Sequence, residues 1–230
     1  MISASTRTVD RTMKLSVERG YTLIELMIGI VVGLIVLSAV IYVFIMTLKS
    51  STNVLNSYRL NQEVASLTDV ITGELRRSGY WPLSGASDSP FGSELDFNIL
   101  SPGGTDTCVL YSFYNDALAS AAQTTSGFYH STASAAIYFG SGASTATCST
   151  AGWQPLSDTS FLNVTSFDVQ LDCWDINNGT SVAASSCSPL GSEVYRRNVT
   201  VTIGASLARD SQWQATSRQT VRLMNDLSGD

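Results

Sequence analysis

Residues 18–48 read ERGYTLIELMIGIVVGLIVLSAVIYVFIMTL, and the architecture follows from this stretch. From Leu26 to Leu48 it carries no charge. As a helix rising ~1.5 Å per residue, that run spans roughly 34 Å, enough to cross a hydrocarbon core of about 30 Å. It concentrates the apolar character of a 230-residue chain with mean hydropathy +0.13 and only 14% charged residues. Much of the remainder is rich in Ser, Thr, Gly and Ala. That concentration excludes a soluble single domain, and the 44% hydrophobic content excludes a disordered polar chain.

Charge orients the run. Arg7, Arg11, Lys14 and Arg19 precede it against Asp10 and Glu18, so the positive-inside rule keeps the N-terminus cytoplasmic and exports the C-terminal mass. Between Arg77 and Arg196 the chain has no Lys or Arg, while ten acids fall there, from Asp88 to Glu193. With a formal charge of -6, such a surface repels phosphates. Near the end of the chain, Arg196, Arg197, Arg209, Arg218 and Arg222 are the bases that could release counterions, so no direct nucleic-acid contact is expected. Cys108, Cys148, Cys173 and Cys187 all lie on the exported side, where an even count reads as two disulfides. Three connectivities are open. The sequential one, Cys108 with Cys148 and Cys173 with Cys187, is favoured because each closes a loop local in sequence. With no CxxC pair and a single histidine, His130, no metal site and no cofactor are expected.

The apolar run is too long for the h-region of a secretory signal peptide, and no A-x-A-like site follows it. The signal stands in front of it. Gly20, the aromatic Tyr21, Thr22, two aliphatics and Glu25 lead directly into the apolar helix, and this order resembles the type IV prepilin cleavage and methylation motif. The resemblance implies a membrane peptidase that cuts between Gly20 and Tyr21 and N-methylates Tyr21, where the family usually has Phe. Glu25 then becomes the fifth residue of the mature chain and neutralises the N-terminal amine of a neighbouring subunit. Thr22, one turn earlier, is expected to hydrogen-bond in the same region during filament assembly, the alternative being a simple helix N-terminal preference. Gly29 and Gly33 form a GxxxG pair that lets helices approach closely. The 20-residue leader is long, but Met13 begins MKLSVERG, a short basic leader, and is a candidate true start.

The helix continues past the membrane. Leu60, Val64, Leu67, Ile71 and Leu75 recur at spacings of three and four, with Glu63, Asp69 and Glu74 off the stripe. Ser78-Gly79 and Pro82 then signal its end, with Arg76 and Arg77 complementing the dipole. One helix over 21–78, roughly 87 Å long, is expected. Beyond it, alternating runs place strands near 95–100, 108–114, 136–139, 166–173, 198–207 and 219–224. Val199, Val201, Ile203, Ala205 and Leu207 form one inward face, which the helix covers. Segments 84–91, 120–134 and 177–189 read as loops, with a short helix near 116–123.

The resulting class is α+β. The layout resembles the pilin fold, a long N-terminal α-helix packed on an antiparallel β-sheet domain. The boundaries are a leader over 1–20, a transmembrane and filament-core half over 21–49, an amphipathic half over 50–79, and a β-rich periplasmic domain over 80–230. ELRRSGYW at the helix end and the closing RQTVRLMNDL resemble type IV pilus minor pilins of the PilW type. No proline interrupts the chain between Tyr21 and Trp81, unlike many major pilins. The resemblance implies a subunit that waits in the inner membrane and then joins a pilus. Its partners are a prepilin peptidase, other minor pilins and the major pilin, and it supports pilus assembly, twitching motility and attachment.

Catalysis is not expected. His130 stands in a polar segment and reads as a surface residue. Asp172, Asp175 and Asn177 fit calcium-loop spacing badly and suit a turn at Asn178-Gly179 better. Trp81, Trp153, Trp174 and Trp213 read as core rather than as a carbohydrate platform. The rival readings are a type II secretion pseudopilin of the J type and a bitopic periplasmic ligand binder.

Overall fold

The computed structural model describes residues 20–80, 97–101, 106–115, 122–141, 148, 150–183, 187, 194–224 and 226–228. Chain contacts divide it into two units, Met1–Thr52 and Asn53–Asp230. Helix α1, Leu23–Leu75, crosses the division. It is shorter at both ends than the sequence suggests. Thr22 caps it, and after Leu75 the chain tightens, with Arg77 N–H donating to Glu74 O and Ser78 N–H to Leu75 O, both at 3.0 Å. Gly79 follows with φ 72°, where a side chain would clash, and its N–H reaches Ser112 O at 2.9 Å.

In the first unit every described residue of α1 is exposed, the apolar ones included. Ser38 and Thr47 return their hydroxyls to Ile35 O and Val43 O at 2.8 and 2.9 Å, which satisfies those two donors within the helix. In the second unit the expected stripe is buried at Leu60, Val64, Leu67, Ile71 and Leu75. Thr68 and Thr72 are buried with it, and Thr72 also donates to Gln219 Oε1 at 2.8 Å.

Two antiparallel sheets complete the second unit. The first is a meander, in order β1 (Phe97–Leu100), β2 (Thr107–Asn115), β3 (Ala122–Ser131), β4 (Ala136–Ser141) and β5 (Gln154–Pro155). The second pairs β6 (Leu162–Asp175) with β8 (Val194–Leu207) over nearly their full lengths. Its edges are β7 (Thr180–Val182) beside β6, and β9 (Gln214–Arg222) and β10 (Leu227–Ser228) beside β8. The helix stripe, the inner face of the first sheet through Val109, Tyr111 and Phe128, and the whole expected inward face of β8 share one core.

Three expectations fail here. Segment 120–134 is not a loop, because β3 runs through it at the centre of the first sheet. Both faces of that sheet are covered, so its apolar residues do not alternate cleanly with polar ones. Ser126 and Ser112 sit inside by bonding to Ser141 (3.0 Å) and Thr125 (2.9 Å). Ala122 and Gln123 are strand rather than short helix, and 116–121 lie outside the described residues, as do 84–91. The loop at 177–189 contains β7. The strands expected at 166–173 and 198–207 begin earlier, at Leu162 and Val194, and the last begins at Gln214, where QATSR gives no apolar signal because β9 is an exposed edge.

Cys108 is bonded to Cys148 and Cys173 to Cys187, the sequential pairing. The first bridge joins a second apolar cluster on the outer face of the meander, with Tyr129 and Trp153. Gly127 and Gly140 are cross-strand partners beneath the Trp153 indole. A Cβ at either would collide with that ring, so these two glycines form the floor on which it lies.

Candidate functional site

At the start of α1, Gly20, Tyr21 and Thr22 are non-helical and exposed, with Tyr21 88% exposed. The Gly20–Tyr21 peptide therefore stands outside the helix, and its carbonyl is not tied up in a helical bond. Thr22 and Glu25 then form a reciprocal cap. Glu25 N–H donates to Thr22 Oγ1 at 3.3 Å, and Thr22 N–H and hydroxyl both donate to Glu25 Oε2 at 3.4 Å. This is the T-x-x-E capping box, which satisfies two of the otherwise orphaned donors of a helix start. The spacing is readable in TLIE. Glu25 thus stands at the positive end of the helix dipole, ahead of an uncharged helical stretch.

Gly29 and Gly33 lie one turn apart on the same helix. No described heavy atom beyond the local helix backbone lies within 4 Å of a Cβ placed on either, so among the described residues nothing fills the groove they open. From Leu23 to Leu48, the large apolar residues are about half exposed or more. One membrane-length apolar window results, at mean hydropathy 2.9. Chemically the segment offers a peptide bond open to a protease, a carboxylate, and a smooth helix surface.

The other sequence candidates behave differently. His130 is not a surface residue. It is 3% exposed on β3, with Nε2 3.2 Å from Val164 O and its ring edge-on to Phe167. Because a carbonyl only accepts, Nε2 is the donor, and the imidazole ties the first sheet to the β6 bulge at Val164 and Ser166. Asp175 serves the hairpin. Its Oδ1 accepts the N–H groups of Asn177 and Asn178 at 2.8 and 3.1 Å, and Oδ2 accepts the Asn178 amide at 2.6 Å. Those bonds, the Asn178 side chain first, hold its carboxyl below the usual carboxylate range. Gly179 at φ 66° completes the turn. Trp153 is core, but Trp174 is 39% exposed on β6.

Asp106 organises the other end of the meander. It accepts the Tyr129 hydroxyl at 2.6 Å and the Thr132 N–H and hydroxyl at 2.9 and 2.7 Å. Tyr129 foremost, these donors lower its carboxyl from the ordinary value. The late arginines are dispersed. Arg197 is buried, Arg222 pairs with Asp226 at 2.7 Å, and Arg77, nearer the helix end, lies over the Phe113 ring at 4.0 Å. Sequence reading missed the cluster of Arg59 and Phe161, whose ring is 3.9 Å from the guanidinium, because its members lie about a hundred residues apart.

Comparison with known families matches two parts of the chain. Residues 15–41 match the model described as the prokaryotic N-terminal methylation motif. Residues 53–223 match the model described as prepilin peptidase-dependent protein B, which starts at the first residue of the second unit. No curated protein and no solved structure gives a significant match.

Proposed function

Since the chain belongs to the prepilin peptidase-dependent protein B family of pilin-like proteins, we propose that it is a minor pilin, a structural subunit that helps start or cap a type IV pilus. Residues 1–20 are the leader. A prepilin peptidase removes it between Gly20 and Tyr21 and methylates the amine of Tyr21. Residues 21–49 hold the mature chain in the inner membrane, 50–79 carry the amphipathic half of the helix, and 80–230 form the periplasmic domain.

The observation that carries this reading is the state of the first unit: an apolar helix exposed all round, preceded by an accessible Gly-Tyr peptide and headed by Glu25. A carboxylate costs about 2.5 to 3.5 kcal/mol at a membrane centre and less near its edge. Pairing with the methylated amine of a neighbouring subunit removes that cost. Glu25 therefore favours the filament over the bilayer, and Gly29 and Gly33 let the incoming helix pack closely. The neighbours are other minor pilins and the major pilin, and twitching and attachment depend on the fibre they build.

Gene deletion tests the reading. Surface pili and twitching should fall while type II secretion continues, and a chain lacking residues 21–49, exported as a soluble domain, should not restore them. Failed exoprotein secretion with normal piliation would assign the chain to J-type pseudopilins instead. Rescue by the soluble domain would make it a periplasmic binder.

A further inference from the structure

In the second unit, one concavity gathers charged side chains that filament packing as proposed above does not use. A cavity of about 340 Å³ is lined by Asn56 and Arg59 of α1, Asp158 and Phe161 between β5 and β6, Leu207 at the end of β8, and Arg209 just beyond it. The Arg59 guanidinium lies 3.9 Å from the centre of the Phe161 ring, and its Nε is 3.9 Å from Glu63 Oε1. Asp158 Oδ1 accepts the Ser160 N–H and hydroxyl at 2.9 and 2.6 Å, while Oδ2 takes no part in those bonds. Two arginines of a chain with net charge -6 thus meet around one space with a carboxylate and an amide at its rim.

This lining asks for both signs in one ligand. A simple anion suits the arginines but meets Asp158, and a simple cation meets two guanidiniums. A phosphate joined to an ammonium by a short linker satisfies both, because guanidinium forks match phosphate oxygens and an ammonium donates to a carboxylate. The membrane supplies such a group, and in sequence Asn56 and Arg59 follow Leu48, the end of the apolar run, within about three helical turns.

We propose that this cavity binds the phosphoethanolamine headgroup of a membrane phospholipid, with the phosphate on Arg59 and Arg209 and the ammonium against Asp158. The inference rests on membrane insertion of residues 21–49, which recovery of the full chain in the membrane fraction checks separately. The test places the full chain in nanodiscs of phosphatidylethanolamine and phosphatidylcholine in equal amounts, with matched acyl chains, and weighs the lipid retained on release by native mass spectrometry. Phosphatidylethanolamine should be retained preferentially, since the choline ammonium has no N–H to donate. Arg209→Ala should cut retention by about tenfold or more, the loss expected for a charge-assisted hydrogen bond. Asp158→Asn should abolish the preference between the two lipids, and Arg218→Ala, on β9, should change nothing at an unaltered melting temperature. Equal retention of both lipids by the wild type, or full retention by Arg209→Ala, overturns the proposal. So does occupancy by soluble phosphoethanolamine in a chain that retains no lipid. A photoreactive residue at position 56 that captures only a neighbouring subunit, and no lipid, overturns it in favour of protein docking.

Discussion

Over residues 23–52, α1 carries Ile, Val, Leu and Met around its whole circumference, and all of them are exposed. Over residues 53–75 the same helix confines its buried apolar residues to one stripe, with Arg59, Glu63 and Glu74 away from it. A helix that is polar on one side has a direction in which to bury itself, and the sheets of its own chain supply the cover. A helix that is apolar all round has none, and no single small domain can wrap it. It requires an apolar surrounding, first lipid and then other helices. The contrast between the two stretches therefore separates what this chain does for itself from what it does with others.

The largest effect should come from the covered stretch. Ile71→Ala removes a fully buried side chain from the shared core and should lower the unfolding free energy by about 2–5 kcal/mol. Ile35→Ala, in the exposed stretch, should leave it unchanged. Denaturant unfolding of the full chain in micelles, followed by tryptophan fluorescence, reads both. A similar loss from Ile35→Ala would break the comparison.

Next come the bridges, which close loops of 40 and 14 residues in sequence separation. Replacing Cys173 and Cys187 together by Ser should cost about 2–4 kcal/mol in the chain-entropy view, and the pair Cys108 and Cys148 somewhat more, because its loop is longer. Labelling of the denatured, unreduced protein should find no free thiol. Four reactive thiols would refute both bridges.

Much of the fold was readable, and the reason differs by element. The stripe from Leu60 to Leu75 and the face from Val199 to Leu207 each have one covered side, so burial writes a period into the sequence. β3 has two covered sides. Phe128 and His130 face one way, Gly127 and Tyr129 the other, and Ser126 is buried through a hydroxyl bond, so no period survives and the segment reads as a loop. At the start of α1 the capping spacing of TLIE is a local pattern and is legible, although the helix begins at Leu23 rather than at Tyr21. The Arg59–Phe161–Arg209 cavity is not legible, because only the fold brings its walls together.

Gly140→Ala sharpens that lesson with a smaller change. The added methyl meets the Trp153 ring, and overpacking of this kind costs about 1–3 kcal/mol, with a shift in tryptophan emission. Gly29→Ala should leave domain stability alone, since among the described residues no atom beyond the local helix backbone lies within 4 Å of the new Cβ. Normal stability of Gly140→Ala would mean that Trp153 does not rest on that floor.

The smallest effect is on pH dependence. The Tyr129 hydroxyl and the Thr132 donors lower Asp106, and the Asn178 amide lowers Asp175, each from an ordinary value of about 3.9. Their folded values lie below the unfolded ones, so the unfolded state binds more protons in acid. The stabilisation is complete above about pH 4 and is lost as pH falls through the folded values. Asp106→Asn should flatten the acid limb of the melting-temperature profile and leave the neutral plateau's shape unchanged. An identical acid limb in the variant would remove Asp106 from the account.

The most direct test of the division of labour along α1 is the mass of the N-terminal peptide from chain produced with a prepilin peptidase. The account predicts a peptide beginning at Tyr21 and one methyl group heavier than the unmodified sequence, whichever methionine starts translation. It predicts the same species from Glu25→Ala, whose defect should appear only later, as reduced recovery in sheared pili. A peptide still carrying Arg19-Gly20 ahead of Tyr21 in assembled filaments would contradict the account.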